Sequence, residues 1–212
     1  MVVFSNDRGD HVYSALCCPV LSFPPFSPLN CFGGNMEHRS RELVVLFVLL
    51  IANLAVAAQS KEAKIKRALS AAPPSVASGA KVVDMDEKGN MTVLRDGHNG
   101  FTCVAGHVGV VGDGPACMDA AAMQWIMDWM AHKPKPTNTR PGIMYQLAGN
   151  SDWSATDPWA TSGTPHTWAP GWVLTWPFDP KTSGFSDQPK DSGTWIMWAG
   201  TPYAHLMIMQ KP

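Results

Sequence analysis

Charge is scarce in this sequence. Only 16% of its 212 residues are charged, and the formal net charge is -1. That is little for a surface of this size. There is no basic patch, which excludes nucleic acid as an expected partner, and there is no acidic tail. No internal repeat occurs, which argues against a solenoid. The five cysteines contain no C-x-x-C pair, so neither a thiol-redox motif nor a cysteine metal site is expected. G-x-S-x-G, P-loop and G-x-G-x-x-G patterns are all missing. Their absence leaves no sign of a nucleophile elbow, a phosphate cradle or a dinucleotide site. No cofactor is expected.

What is present is concentrated. Gly and Pro occur 18 times each, pointing to many turns and short strands. All nine tryptophans lie between Trp125 and Trp198. The one long apolar run is Leu43 to Ala58, LVVLFVLLIANLAVAA, with Arg39 and Arg41 before it and Ala55-Val56-Ala57 near its end. Basic flank, apolar stretch and small-x-small site predict a secretory signal peptide over 36–57. The run is shorter than the roughly 20 apolar residues of a spanning helix, and Asn53 interrupts it. Contact with a membrane is therefore expected only if this segment stays uncleaved. Met36 directly precedes it, so residues 1–35, with scattered Cys17, Cys18 and Cys31, are expected to be a mis-assigned start or a disordered extension. The expected location is outside the cytoplasm, in the periplasm or the extracellular space.

Residues 58–79 read as a short charged helix and a Pro/Ser/Ala linker, and 80–212 as a single α+β domain. In the helix, Ile65, Ala68 and Leu69 share one face, and Pro73-Pro74 ends it. Lys81–Met85 and Met91–Arg95 read as a hairpin, with Phe101–Val104 as a third strand of a meander. Cys103 and Cys117 are the only cysteines after the cleavage site. An even number in an exported chain predicts a disulfide closing the Gly-rich loop between them. Asp119 to His132 has apolar residues at 122, 125, 126, 129 and 130, the spacing of one helical face. Strands are expected at Gly142–Leu147 and Trp172–Trp176, and a closing hairpin at Trp195–Trp198 and Tyr203–Met209. The predicted fold is an antiparallel sheet of about six or seven strands with one main helix packed on it.

Candidate chemistry is sparse. Five histidines follow the signal segment: His98, His107, His132, His166 and His205. None forms H-x-H or H-E-x-x-H, so no metal site is expected. His205 sits in the closing strand beside Tyr203, Met207 and Met209, where a hydrogen-bonded core histidine is the default. The stretch from Gly149 to Gly171 carries Trp153, Trp159, His166 and Trp168 among Ser, Thr, Asp and Gly. Loops of that length are uncommon unless functional, and indoles beside polar groups suit a glycan or other small ligand. The opposing reading is that these rings fold inward and pin the loop.

Several motifs stand in a fixed order along the chain. They are Ala68-Leu69-Ser70-Ala71-Ala72-Pro73-Pro74-Ser75, Leu94-Arg95-Asp96-Gly97-His98-Asn99-Gly100-Phe101-Thr102-Cys103, Cys117-Met118-Asp119, Thr156-Asp157-Pro158-Trp159-Ala160 and Gly200-Thr201-Pro202-Tyr203-Ala204-His205-Leu206-Met207-Ile208. Together they resemble an uncharacterised family of secreted bacterial proteins with no assigned activity. The resemblance covers most of the chain from Ile65 and implies export and the domain plan only. Members of that family carry Gly-Pro-His where this chain has Trp176-Pro177-Phe178, which puts a two-histidine site with His205 in doubt here.

The leading expectation is an exported, non-catalytic ligand-binding or envelope module using the loops 149–171 and 178–193. The alternative is a small periplasmic hydrolase or metal-dependent enzyme using His205 with a loop histidine, His98, and a loop acid, Asp157. A third is a lipid-proximal structural protein held by an uncleaved N-terminus.

Overall fold

Apolar residues on alternate positions of short runs need a sheet to bury them. The computed structural model describes residues 60–210. The expected signal segment and the extension before it lie outside the described residues. The elements are helix α1 (60–69), α2 (Pro74–Ala77), β1 (Lys81–Met85), β2 (Met91–Arg95), β3 (Thr102–Val104), β4 (Ala116–Met118) and α3 (Ala120–Met130). They continue with β5 (Gly142–Gln146), β6 (Asn150–Asp152), β7 (His166–Trp168), β8 (Gly171–Thr175), α4 (Pro180–Ser183), β9 (Ser192–Met197) and β10 (His205–Gln210). Eight strands form one sheet in the order β2-β1-β3-β4-β5-β8-β10-β9, and β6 pairs with β7 in a separate ribbon. The class is α+β, with a mostly antiparallel sheet and one disulfide, as expected.

In the large sheet the strand beyond the expected number is β4, and β6 and β7 form within 149–171, which the sequence reads as loop. The three residues of β4 carry no period of their own. They become a strand because Cys117 lies opposite Cys103 in register and the two are bonded. The expected meander is corrected in one respect. β3 does not lie beside β2 but on the other edge of β1, running parallel to it. The connection 96–101 passes the start of β1, where His98 N–H donates to the Gly79 carbonyl at 2.8 Å and Lys81 N–H to Phe101 at 2.9 Å. A Cβ on Gly97 would lie 2.0 Å from the Lys81 nitrogen, so only glycine permits this crossing.

α3 covers one face of the sheet. Asp119 caps it, accepting the Ala122 N–H at 2.8 Å. Trp125, 1% exposed, anchors the helix in a core with Trp195, Tyr203, Met144, Val173 and Met207. Burying a side chain of that size contributes about 3 kcal/mol. The seat is close: a Cβ on Gly142 would come within 2.2 Å of the Ala122 nitrogen. On the opposite face, α1 places Ala68 over Val82 and the disulfide. Its Ile65 and Leu69 pack there too, on the face the sequence assigns them. Elsewhere on that face, Phe178 and Phe185 cover Ile196 and Leu206.

The closing hairpin forms with His205 opposite Met197. β10 is an interior strand, flanked by β8 and β9, and both of its faces are covered, by core residues Met207 and Met209 on one side and Leu206 on the other. β9 is the edge. Ser186 bridges Trp195 along its outer side and its carbonyl takes the Ile196 N–H at 2.7 Å, which blunts that edge. Among the described residues, no helix is long and apolar enough to cross a membrane.

Candidate functional site

Alternation along β5 turns Gly142, Met144 and Gln146 toward the α3 side of the sheet. Met118 of β4 and Val104 of β3 face the same way. α3 contributes Ile126, Trp129 and Met130 to one side of this space. Its last turn, with Trp129, stands at the rim, and two loops complete the enclosure. The result is a cavity of about 450 Å³, floored by Met118, Met144 and Gln146 and walled by Trp129, Trp153 and Trp159.

The first loop, 105–115, joins the two disulfide-linked strands. Arg67 of α1 holds its base by donating to the Ala105 carbonyl at 2.6 Å. His107 and Asp113 pair across it at 2.5 Å. The Asn150 side chain accepts the Gly114 N–H at 3.1 Å, tying the loop to β6. The second loop, 153–161, is held by the ring N–H groups of two core tryptophans. Trp198 donates to the Ser154 carbonyl at 3.0 Å and Trp129 to the Pro158 carbonyl at 2.8 Å. Ser154 and Asp157 side chains accept the N–H groups of Thr156 and Trp159, forming local turns. These bonds hold Trp153 half-buried and leave Trp159 37% exposed, stacked on His132 at 5.6 Å.

Two polar side chains in this cavity lack strong partners. Gln146 is 9% exposed, and its amide nitrogen reaches only the Met144 sulfur, at 4.0 Å. Asp152 is half-buried and has no Lys, Arg or His ion partner among the described residues. Burial pushes its carboxyl up to about 7, against the Trp153 backbone hydrogen bond that lowers it. A carboxyl in that state donates or accepts a hydrogen bond near neutral pH. A second, wider groove of about 860 Å³ lies against the same 105–115 loop, bounded by Arg67, His107 and Trp168.

The sequence-predicted residues are dispersed. His205 is 4% exposed, wedged edge-on between Trp125 and Trp198 at centroid distances of 5.1 and 4.8 Å. Burial lowers its pKa to about 4, despite the Tyr203 carbonyl that raises it, so the ring is neutral. His98 is exposed beside the start of β1, toward the opposite end of the strand order from β10. Asp157 is exposed, its carboxylate occupied by the Trp159 N–H at 3.0 Å. The fold does not bring these three together. No group of three or more His, Cys, Asp or Glu among the described residues could hold a metal ion.

The tryptophan stretch divides. Trp153 and Trp159 line the cavity. Trp168 turns inward, 6% exposed against Trp195 at 5.0 Å, with exposed His166 stacked on it at 5.5 Å. Trp129 and Gln146, both in the cavity lining, escaped the sequence reading, and Asp152 is not singled out by it among the acids of that region. A trace of Gln146 was visible, as a polar residue at an inward position of an alternating strand. Trp129 reads as helix core because its spacing is that of the buried face. Nothing local distinguishes Asp152 from the other loop acids.

No protein-family model, curated protein or solved structure matches the chain.

Proposed function

We propose that this protein is exported to the periplasm or beyond, and that its domain is a non-catalytic binding module for a glycan or other small ligand. The cavity beneath Trp129, Trp153 and Trp159 carries the proposal. Its volume of about 450 Å³ falls in the range of small-ligand pockets, and its make-up is typical of them: apolar walls with a few convergent polar groups. The indoles offer flat apolar area, and Gln146 and Asp152 offer hydrogen bonds that the fold leaves unused. The basic, apolar and small-x-small segments at 36–57 support export, as does a buried disulfide, which persists in oxidising compartments. Membership of the secreted bacterial family that the motifs resemble belongs to the same proposal. A hydrolase or metal enzyme built on His205, His98 and Asp157 draws no support from this geometry.

Titration calorimetry with glycans, cell-wall fragments and small amphipathic molecules tests the binding reading. Saturable binding that Trp153→Ala weakens about tenfold or more is expected. A panel without any binder overturns it. For export, the mass of the mature chain is expected to place its start near Ala58, and a retained segment 36–57 would overturn that part.

A further inference from the structure

We infer that the ligand of this cavity is an organic cation, an amine or quaternary ammonium group. This rests on the binding reading above and specifies its ligand class. The lining carries acids from three separate segments: Asp86 and Glu87 from the β1–β2 turn, Asp113 from the 105–115 loop, and Asp152 from β6. No Lys or Arg lines it. The chain as a whole is nearly neutral, at a net charge of -1, so a lining with acids and no such cation is a local departure from the average.

The acids alone would not identify a ligand. Asp113 is paired with His107, and Asp86 is occupied by its own turn through Asn90 and Lys88. Asp152 differs, being a half-buried carboxylate without an ion partner among the described residues. A carboxylate taken out of water is stabilised either by a proton or by a counter-charge. The walls point to the second. Trp129, Trp153 and Trp159 line the cavity, Trp129 and Trp159 with one face stacked, on Trp198 and His132, and indole faces attract cations best of all side chains. Met118 and Met144 beneath them add polarizable sulfur. Since no group of acids and histidines converges on a metal-holding point among the described residues, a compact metal ion is a poor match. A diffuse positive charge with methyl or methylene surface fits both aromatic walls and dispersed acids.

Choline and dimethylbutanol, its neutral isostere with carbon in place of the ammonium nitrogen, separate charge from shape. Calorimetric titration of the purified protein at pH 8 is expected to show choline binding about tenfold or more tighter. Asp152→Asn should remove that preference, with a melting curve to confirm folding. Glu87→Gln, an exposed acid in the lining, repeats the test away from the core and should weaken choline about twofold while leaving dimethylbutanol unchanged. Equal affinity for the two isosteres would overturn the cation assignment and leave the binding reading standing. Binding of a neutral glycan with no response to choline would do the same. Absence of binding by every probe would overturn both.

Discussion

The Nδ1–H of His205 donates to the main-chain carbonyl of Tyr203 at 3.0 Å. A carbonyl oxygen only accepts, so this contact sets the tautomer of the imidazole. Two indoles, Trp125 and Trp198, close over the ring edge-on. A histidine held neutral, buried and hydrogen-bonded is a core residue, and its chemistry shows in stability rather than turnover.

The first prediction follows from that state. His205 has a folded pKa of about 4 against an ordinary value of 6.5. Below pH 6.5 the unfolded chain takes the proton first, so stability falls as pH drops from 6.5 through 4. The loss is on the order of 3 kcal/mol. Denaturant melts at several pH values are expected to show this slope in the native chain. His205→Phe should remove this fall of stability toward low pH, leaving the opposite dependence that Asp152 contributes, and should leave ligand binding intact. An undiminished fall between pH 6.5 and 4 in the variant would remove His205 as its source.

Asp152 acts with the opposite sign. Its folded pKa is raised from 3.8 to about 7, so the folded chain holds the proton longer and stability falls as pH rises through that window. Asp113 with His107, Asp86, Glu87 and His132 share the cavity, and His166 lies opposite on β7. Asp152→Asn is expected to raise the melting temperature at pH 8 and to leave it unchanged at pH 4. The gain is on the order of 1–2 kcal/mol, because partial exposure screens the burial penalty. Equal effects at both pH values would mean that the carboxylate charge is not what destabilises.

Asp128 is fully buried and accepts from Gln124, Lys133 and both the N–H and hydroxyl of Thr137. Burial alone would raise its pKa, but these donors outweigh burial and hold it at about 2. The group fastens the end of α3 to the chain beyond Pro134. Asp128→Ala leaves those donors without their acceptor and should cost about 2–4 kcal/mol in chemical denaturation. Native stability contributed by this carboxylate is complete above pH 3.8 and declines as pH falls toward 2. A loss below about 0.5 kcal/mol would show that the network contributes little.

Cys103 and Cys117 are separated by 14 positions and face each other across β3 and β4. Closing a loop of about 15 residues is worth roughly 3 kcal/mol in the chain-entropy model. The double substitution to serine, or reduction, is expected to lower stability by that order. It should also weaken ligand binding, since the 105–115 loop is one wall of the cavity. Unchanged affinity in a folded double variant would separate the bridge from the site.

The candidate site was only partly legible in the sequence. Trp153 and Trp159 stood out because indoles in a long polar loop are unusual, and both line the cavity. Trp168 carried the same signal and went into the core. The difference lies in pairing: β7 binds β6 and presses Trp168 onto Trp195, whereas the 153–161 segment is held away by Trp198 and Trp129 N–H bonds. Such long-range contacts leave no local periodicity.

By itself the sequence determined the features that depend on neighbours along the chain. Helix α3 followed from 3.6-residue spacing and an Asp cap, most strands from alternation, and the disulfide from a count of two cysteines after the apolar run 43–58. Tertiary structure decided everything that depends on which strand lies beside which. It placed β3 parallel to β1, made β4 a strand through its pairing with β3, and brought the end of α3, the 105–115 loop and the 153–161 loop around one cavity. Burial there raises the carboxyl of Asp152, one acid among several in the sequence, to about 7.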